Sequence, residues 1–104
     1  MRTHQQIDQR SLAMVRAIVD KIDGDPTRAG LTKARATCQR WSARSPSAAI
    51  QEWLKILDRP WEQIREVLLD GSEEGQRLRQ SDPFSGVLTP QERWEIYRQF
   101  SETR

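Results

Sequence analysis

The stretch IQEWLKILDRPWEQIREVLL, Ile50 to Leu69, decides between helices and strands. Its large apolar residues do not alternate, for Ile50, Trp53, Leu54 and Leu57 recur at steps of one, three and four, and Trp61, Ile64 and Leu68 repeat the spacing. This is the one-sided period of a helix, whereas a half-buried strand would place an apolar residue at every second position. Asp58-Arg59-Pro60 separates the two stripes. The segment is therefore expected to form two short amphipathic helices, each needing a neighbour to cover its apolar side.

The same pattern extends outward. Upstream, Leu12, Val15, Ile18, Val19 and Ile22 make one stripe and Leu31, Ala34, Cys38 and Trp41 another. Asp23-Gly24 ends the first, with Gly24 expected as a left-handed C-cap. Helices over Leu31 to Ser42 and Pro46 to Leu57, joined by the turn Ala43-Arg44-Ser45, fit this spacing. Asp25-Pro26, Ser45-Pro46 and Thr89-Pro90 each offer a capping residue followed by proline, expected at the first helical position where its missing N–H costs nothing. Downstream, Ser72 is expected to cap a short helix through EEGQRLRQ, with Glu73 and Glu74 at its positive end. The chain should turn at Ser81 to Gly86, and Thr89-Pro90-Gln91-Glu92 has the form of a capping box opening a last helix to Ser101. Strand-like alternation is absent. The expected fold is all-α, a compact bundle of five to six short helices, a single domain over 1–104 with fraying at about 1–6 and 102–104.

Composition sets limits. Of 104 residues, 36% are hydrophobic and 31% charged, so the core must be thin and lean on Trp41, Trp53, Trp61 and Trp94. An enclosed tryptophan needs a partner for its indole N–H, which favours places at the core margin. No apolar run approaches the roughly 18 residues that cross a bilayer. MRTHQQIDQR lacks the apolar middle of a secretory signal. The expectation is a cytoplasmic protein without a membrane partner. The single cysteine, Cys38, can form no internal disulfide.

The residues for catalysis are missing from the pattern. His4 is the only histidine and sits near a terminus, while Cys38 lies on an apolar stripe, where burial raises a thiol pKa and suppresses its reactivity. The glutamate pairs Glu62 with Glu66 and Glu92 with Glu95 are spaced for helix surfaces. Neither a Cys/His metal pattern nor a glycine-rich phosphate loop occurs. A non-enzymatic protein with no cofactor is expected.

Charge is uneven along the chain. Residues 1–45 carry nine Lys or Arg against four Asp or Glu, whereas residues 46–104 carry eight against eleven. Arg28, Lys33, Arg35, Arg40 and Arg44 fall in a span without acids, and at 100° per residue Lys33, Arg40 and Arg44 gather on one side of the apolar stripe. Lys33, Arg35, Arg40 and Arg44 are the candidate contacts if the partner is a nucleic acid. The competing reading has these side chains flank the core and face the acidic second half. A helix-turn-helix is a poor fit, because PSAAIQEWLKIL offers only Ser47, Gln51, Glu52 and Lys55 for base reading.

The C-terminal stretch LRQSDPFSGVLTPQERWEIYRQF, Leu78 to Phe100, is the aromatic-rich end. In its helix Trp94 and Tyr97 share one side and Ile96 and Phe100 another, an apolar arc too wide for one packing partner. One side is expected to cover the bundle. The other, with Phe84, Val87 and Leu88 from the preceding turn, is expected to form an exposed contact centre for another protein, rimmed by Arg93 and Arg98. The opposing reading tucks the turn residues inward.

This stretch resembles the closing segment of a family of small uncharacterised bacterial helical proteins, of the form LRQS-x-PF-x-GVL-x-P-x-ERW-x-IYR-x-F. Asp25-Pro26, Ala34-Arg35-Ala36 and Arg40-Trp41 fit the looser front half of that family. The match covers about 23 residues of the tail, and some members occur beside nucleotidyltransferase-like genes of the toxin–antitoxin kind. The resemblance implies a bacterial, intracellular protein with a protein partner and carries no catalytic residue with it. The resulting expectation is a protein-binding module, the antitoxin-like or regulatory half of a two-gene unit. A nucleic-acid-binding regulator is the second expectation, and a homodimer through the tail patch the third.

Overall fold

Short polar caps begin three of the helices. The Ser47 hydroxyl accepts the Ile50 N–H at 3.2 Å, the Ser72 hydroxyl accepts the Gly75 N–H at 3.3 Å, and the Thr89 hydroxyl accepts the Glu92 N–H at 3.1 Å. Each satisfies an amide that has no acceptor within its own helix. In the computed structural model, which describes the backbone of residues 4–101 and the side chains of 9–100, six α-helices result: α1 His4–Asp23, α2 Ala29–Arg44, α3 Ala48–Leu57, α4 Trp61–Leu69, α5 Glu73–Arg79 and α6 Pro90–Ser101. A single 3-10 turn, Ser85–Val87, lies between α5 and α6, and no strand occurs among the described residues. The all-α bundle expected from the apolar spacing is the fold observed. Expected fraying at 1–3 and 102–104 lies outside the described residues, while residues 4–6 already belong to α1.

The prolines act less uniformly than their spacing predicts. Pro90 does open α6, and Pro60 is the N-cap of α4. Pro46 instead precedes the true cap, Ser47. Pro26 lies in a turn three residues before α2, because the Asp25 carboxylate accepts the Thr27 N–H at 2.9 Å, the Thr27 hydroxyl at 2.8 Å and the Ala29 N–H at 3.0 Å. These bonds hold the Asp25 carboxyl below its ordinary pKa, the Thr27 hydroxyl contributing most.

The expected left-handed residue is also displaced. Gly24 has no positive φ, and the left-handed position is Arg28, with φ 53°. A non-glycine residue there costs about 1–2 kcal/mol. Its guanidinium Nη1 donates to the carbonyls of Ile22 at 2.8 Å and Asp23 at 3.3 Å, so the end of α1 is capped by the residue that starts α2. Directly beyond it, Gly30 lets the helices meet closely. A Cβ on Gly30 would stand 2.8 Å from Ile22 Cγ1 and 3.0 Å from Val87 Cγ1.

One contiguous apolar cluster takes residues from every helix. It includes Ile18 and Ile22 of α1, Leu31 of α2, Trp53 of α3, Ile64 of α4, Leu78 of α5 and Ile96 of α6. Trp53 is fully enclosed, donates its indole N–H to the Leu78 carbonyl at 2.9 Å and meets Phe84 edge-on at 6.0 Å. Trp61 is buried too, donating to Asp23 Oδ1 at 2.7 Å. Both central tryptophans are thus satisfied inside, whereas Trp41 is half-buried and Trp94 exposed.

Arginines close helix ends from a distance. Arg35 Nε donates to the Leu57 carbonyl at the end of α3 at 2.9 Å, and buried Arg79 donates to the carbonyls of Leu68, at 3.4 Å, and Asp70, at the end of α4. Among the described residues no helix is long and apolar enough to cross a membrane.

Candidate protein-binding surface

The surface is built on α6, and the start of that helix is locked twice. The Thr89–Glu92 capping box closes reciprocally, as the Thr89 N–H donates to Glu92 Oε1 at 2.7 Å. Lys21 of α1 donates to the same Glu92 oxygen at 2.8 Å and to the Val87 carbonyl at 2.9 Å. These contacts, led by the Lys21 ammonium, lower the Glu92 carboxyl pKa to about 2. The helix cannot roll freely, so the direction of each side chain on it is set.

Ile96 is buried against the bundle and Phe100 packs partly against it. Trp94 and Tyr97 point away from that side. Trp94 is 63% exposed and Tyr97 38%, the large hydrophobics left at the surface among the described residues. Arg10 of α1 lies over the Tyr97 ring at 5.0 Å, holding it by a cation–π contact. Arg98 pairs with Glu95 at 2.8 Å, and Arg93 is half-buried at the edge of the pair. The division of the last helix into two apolar sides is observed as its spacing predicts.

The turn residues correct the expectation. Phe84, Val87 and Leu88 are 0%, 7% and 3% exposed and belong to the core, so they form no part of an outward patch. Asp82 Oδ1 accepts the Phe84 N–H at 2.9 Å, Pro83 is enclosed, and the 3-10 turn folds the segment back so that Phe84 reaches Trp53 and Val87 reaches Gly30. Apolar residues in a turn move freely to whichever side lacks packing, and here the bundle lacked it. What remains outside is Trp94 and Tyr97 with the cations Arg10, Arg93 and Arg98.

The other candidates separate in the same way. Lys33, Arg40 and Arg44 are exposed along the outer side of α2, while Arg35 is committed to the Leu57 carbonyl. None of the four forms an ion pair among the described residues; the contacts they make with the second half are to backbone and apolar groups, Arg35 to the Leu57 carbonyl and Lys33 alongside Gly86 and Val87. Of the polar residues α3 offers for base reading, Ser47 caps the helix, Gln51 donates to the Ser42 hydroxyl at 3.0 Å and Glu52 accepts from Arg77, while Lys55 is exposed.

A groove of about 730 Å³ runs between α3, α4 and α5 over Ile56, Val67 and Leu78. Its acids Glu52 and Glu74 are both engaged by Arg77, which lowers their pKa values and raises that of the guanidinium. Cys38 is buried with its thiol 3.7 Å from the Ile50 carbonyl, and burial pushes its pKa up. His4 has its side chain outside the described residues. Among the described residues no group of three His, Cys, Asp or Glu could hold a metal ion.

Sequence reasoning missed buried Arg79 and, beside it, Asp82, whose carboxyl is raised to about 6 by burial, against the opposing Phe84 N–H and Arg79 charge. Nothing in the local pattern distinguishes either from an ordinary surface charge. No family model, no curated protein and no solved structure matches this chain.

Proposed function

We propose that this protein is a non-enzymatic binding module that recognises another protein through α6, acting as the antitoxin-like or regulatory partner in a two-gene bacterial unit. Trp94 carries the reading: a large aromatic left 63% exposed on a helix whose orientation is locked at its first turn. Tryptophan and arginine are the side chains that most often dominate an interface, and a pre-set helix loses little entropy on docking. Trp94 and Tyr97 form the anchor, and Arg93 and Arg10 give the rim a positive bias beside the Arg98–Glu95 pair. The partner therefore offers an apolar pocket with acidic edges.

Two side chains alone cover far less than the roughly 800 Å² per partner of a standard interface. The remainder of the contact comes from the rim and from the partner's own shape. A homodimer through the same residues is the competing arrangement, which light scattering separates from a monomer.

The test is a nuclease-treated pull-down from the native cell with wild type and Trp94→Ala. A partner should be captured by wild type and lost by the variant, at a cost of at least about 2 kcal/mol, or about 30-fold in affinity, with the circular dichroism spectrum unchanged. Equal capture by both proteins would remove Trp94 from the interface and the proposal with it.

A further inference from the structure

The outer side of α2 is a second charged surface, independent of α6. Lys33, Arg40 and Arg44 are exposed there, the helix contains no acid, and none of the three has an ion-pair partner among the described residues. Lys21, Arg65, Arg77 and Arg98 are each matched by a carboxylate, and the other exposed cations without one among the described residues, such as Arg16, Lys55 and Arg59, are not gathered in an acid-free helix as these three are. Ala36 and Ala43, exposed on the same helix, border the row of cations and add no charge to it.

We propose that this side of α2 docks the phosphate backbone of a nucleic acid, with Lys33, Arg40 and Arg44 as its contacts. Lys33 and Arg44 are separated by about 16 Å along the helix axis. One strand of a duplex presents about five phosphates over that length. The two guanidiniums can each grip a phosphate with paired N–H donors, and the lysine acts as a point charge.

An acidic protein is the less suitable occupant. A protein interface depends on a buried apolar or aromatic anchor, and the exposed large hydrophobics among the described residues, Trp94 and Tyr97, are on α6. A row of phosphates requires no such anchor. Base readout is not part of the inference, since the contacts available are to the backbone and carry no sequence information.

Arg35 is excluded from this set although it lies on the same helix, because its Nε is tied to the Leu57 carbonyl of α3 at 2.9 Å, whereas Arg40 bonds only Thr37 of its own helix, through Nη2 at 3.3 Å. The surface thus has three phosphate contacts. For three, affinity should fall with a log–log salt slope of about −2.7 on duplex DNA and about −2.1 on a single strand.

The experiment is fluorescence anisotropy with a labelled 20-base-pair DNA duplex and a labelled 20-nucleotide RNA, between 50 and 200 mM salt. Wild type should bind at low salt and lose about 40-fold in affinity for the duplex, or about 20-fold for the single strand, across that range; the probe bound more tightly at 50 mM salt identifies the form preferred. The triple variant Lys33→Gln, Arg40→Gln, Arg44→Gln should lose at least about tenfold, whereas Lys55→Gln, Arg59→Gln, Arg65→Gln, which removes three cations from α3, α4 and their junction, should stay within about twofold. The slope is measured on the unaltered protein and stands even if a variant folds poorly. Absence of binding to both probes at 50 mM salt overturns the inference, as does full affinity in the first triple variant. Displacement of the duplex by poly-glutamate at equal charge concentration would also overturn it and reassign the surface to an acidic protein. Loss of protein capture by Trp94→Ala has no bearing on these readings.

Discussion

Trp53 and Trp94 are the same residue type on two amphipathic helices and have opposite positions. Trp53 is wholly enclosed, with its indole N–H on the Leu78 carbonyl and Phe84 against its ring. Trp94 faces solvent on a helix that already buries Ile96 on its other side. The interior of α3 to α5 uses its aromatic residue to hold the fold together, and the exterior of α6 leaves one available. Position relative to the other helices, more than residue type, separates a packing role from a recognition role.

The strongest way to break the comparison is to truncate both. Trp53→Ala should cost about 3–5 kcal/mol of stability, because it opens a cavity at the centre of the cluster. Trp94→Ala should stay within about 0.5 kcal/mol. Urea unfolding of the two variants measures both, and similar midpoints would mean that the tryptophans are not differently placed.

A smaller effect sharpens the interior side. The Asp82 carboxyl, raised from 3.8 to about 6, binds its proton more tightly in the folded state than in the unfolded one. Its contribution therefore makes the protein more stable as pH falls from 7 through 6, levelling off below about 4. Two units correspond to about 3 kcal/mol, and residual solvent contact reduces this to about 1–2 kcal/mol. Asp82→Asn keeps an acceptor for the Phe84 N–H and removes the buried charge. It should stabilise the protein at pH 7 and flatten urea midpoints between pH 4 and 7; a profile identical to wild type would refute the assignment. Glu92 acts with the opposite sign, since its carboxyl is held at about 2 and its stabilisation disappears as pH falls from the ordinary carboxylate range through that value.

The smallest expected effect concerns the exterior side. Thr89→Ala removes the hydroxyl that caps α6 and should cost about 1 kcal/mol. Thermal melting checks this, and an unchanged midpoint would show that Lys21 alone holds the start of the helix.

Much of this architecture was legible in residue order. The stripe Trp61, Ile64 and Leu68 is buried along α4 as its spacing predicts, and Ser72 and Thr89 cap the helices they precede. These features depend on partners three or four residues away, so short-range pattern contains them. The candidate surface was only half legible. Trp94 and Tyr97 share a helical side by arithmetic alone, but the inward turn of Phe84, Val87 and Leu88 depends on space beside Trp53 and Gly30, far away in the chain. Arg35 and Lys33 are two residues apart and look equivalent in a basic segment. Only the nearness of the α3 terminus gives Arg35 a carbonyl to bond.

Sequence by itself determined that this chain forms short helices, where most of them begin and which side of each is apolar, because helix period, capping and proline geometry act within a single turn. Tertiary structure alone decided which apolar and charged groups are used up inside the bundle. That outcome depends on helices from distant parts of the chain competing for the same side chains, and among the groups they leave at the surface are Trp94 and the cations on the outer side of α2.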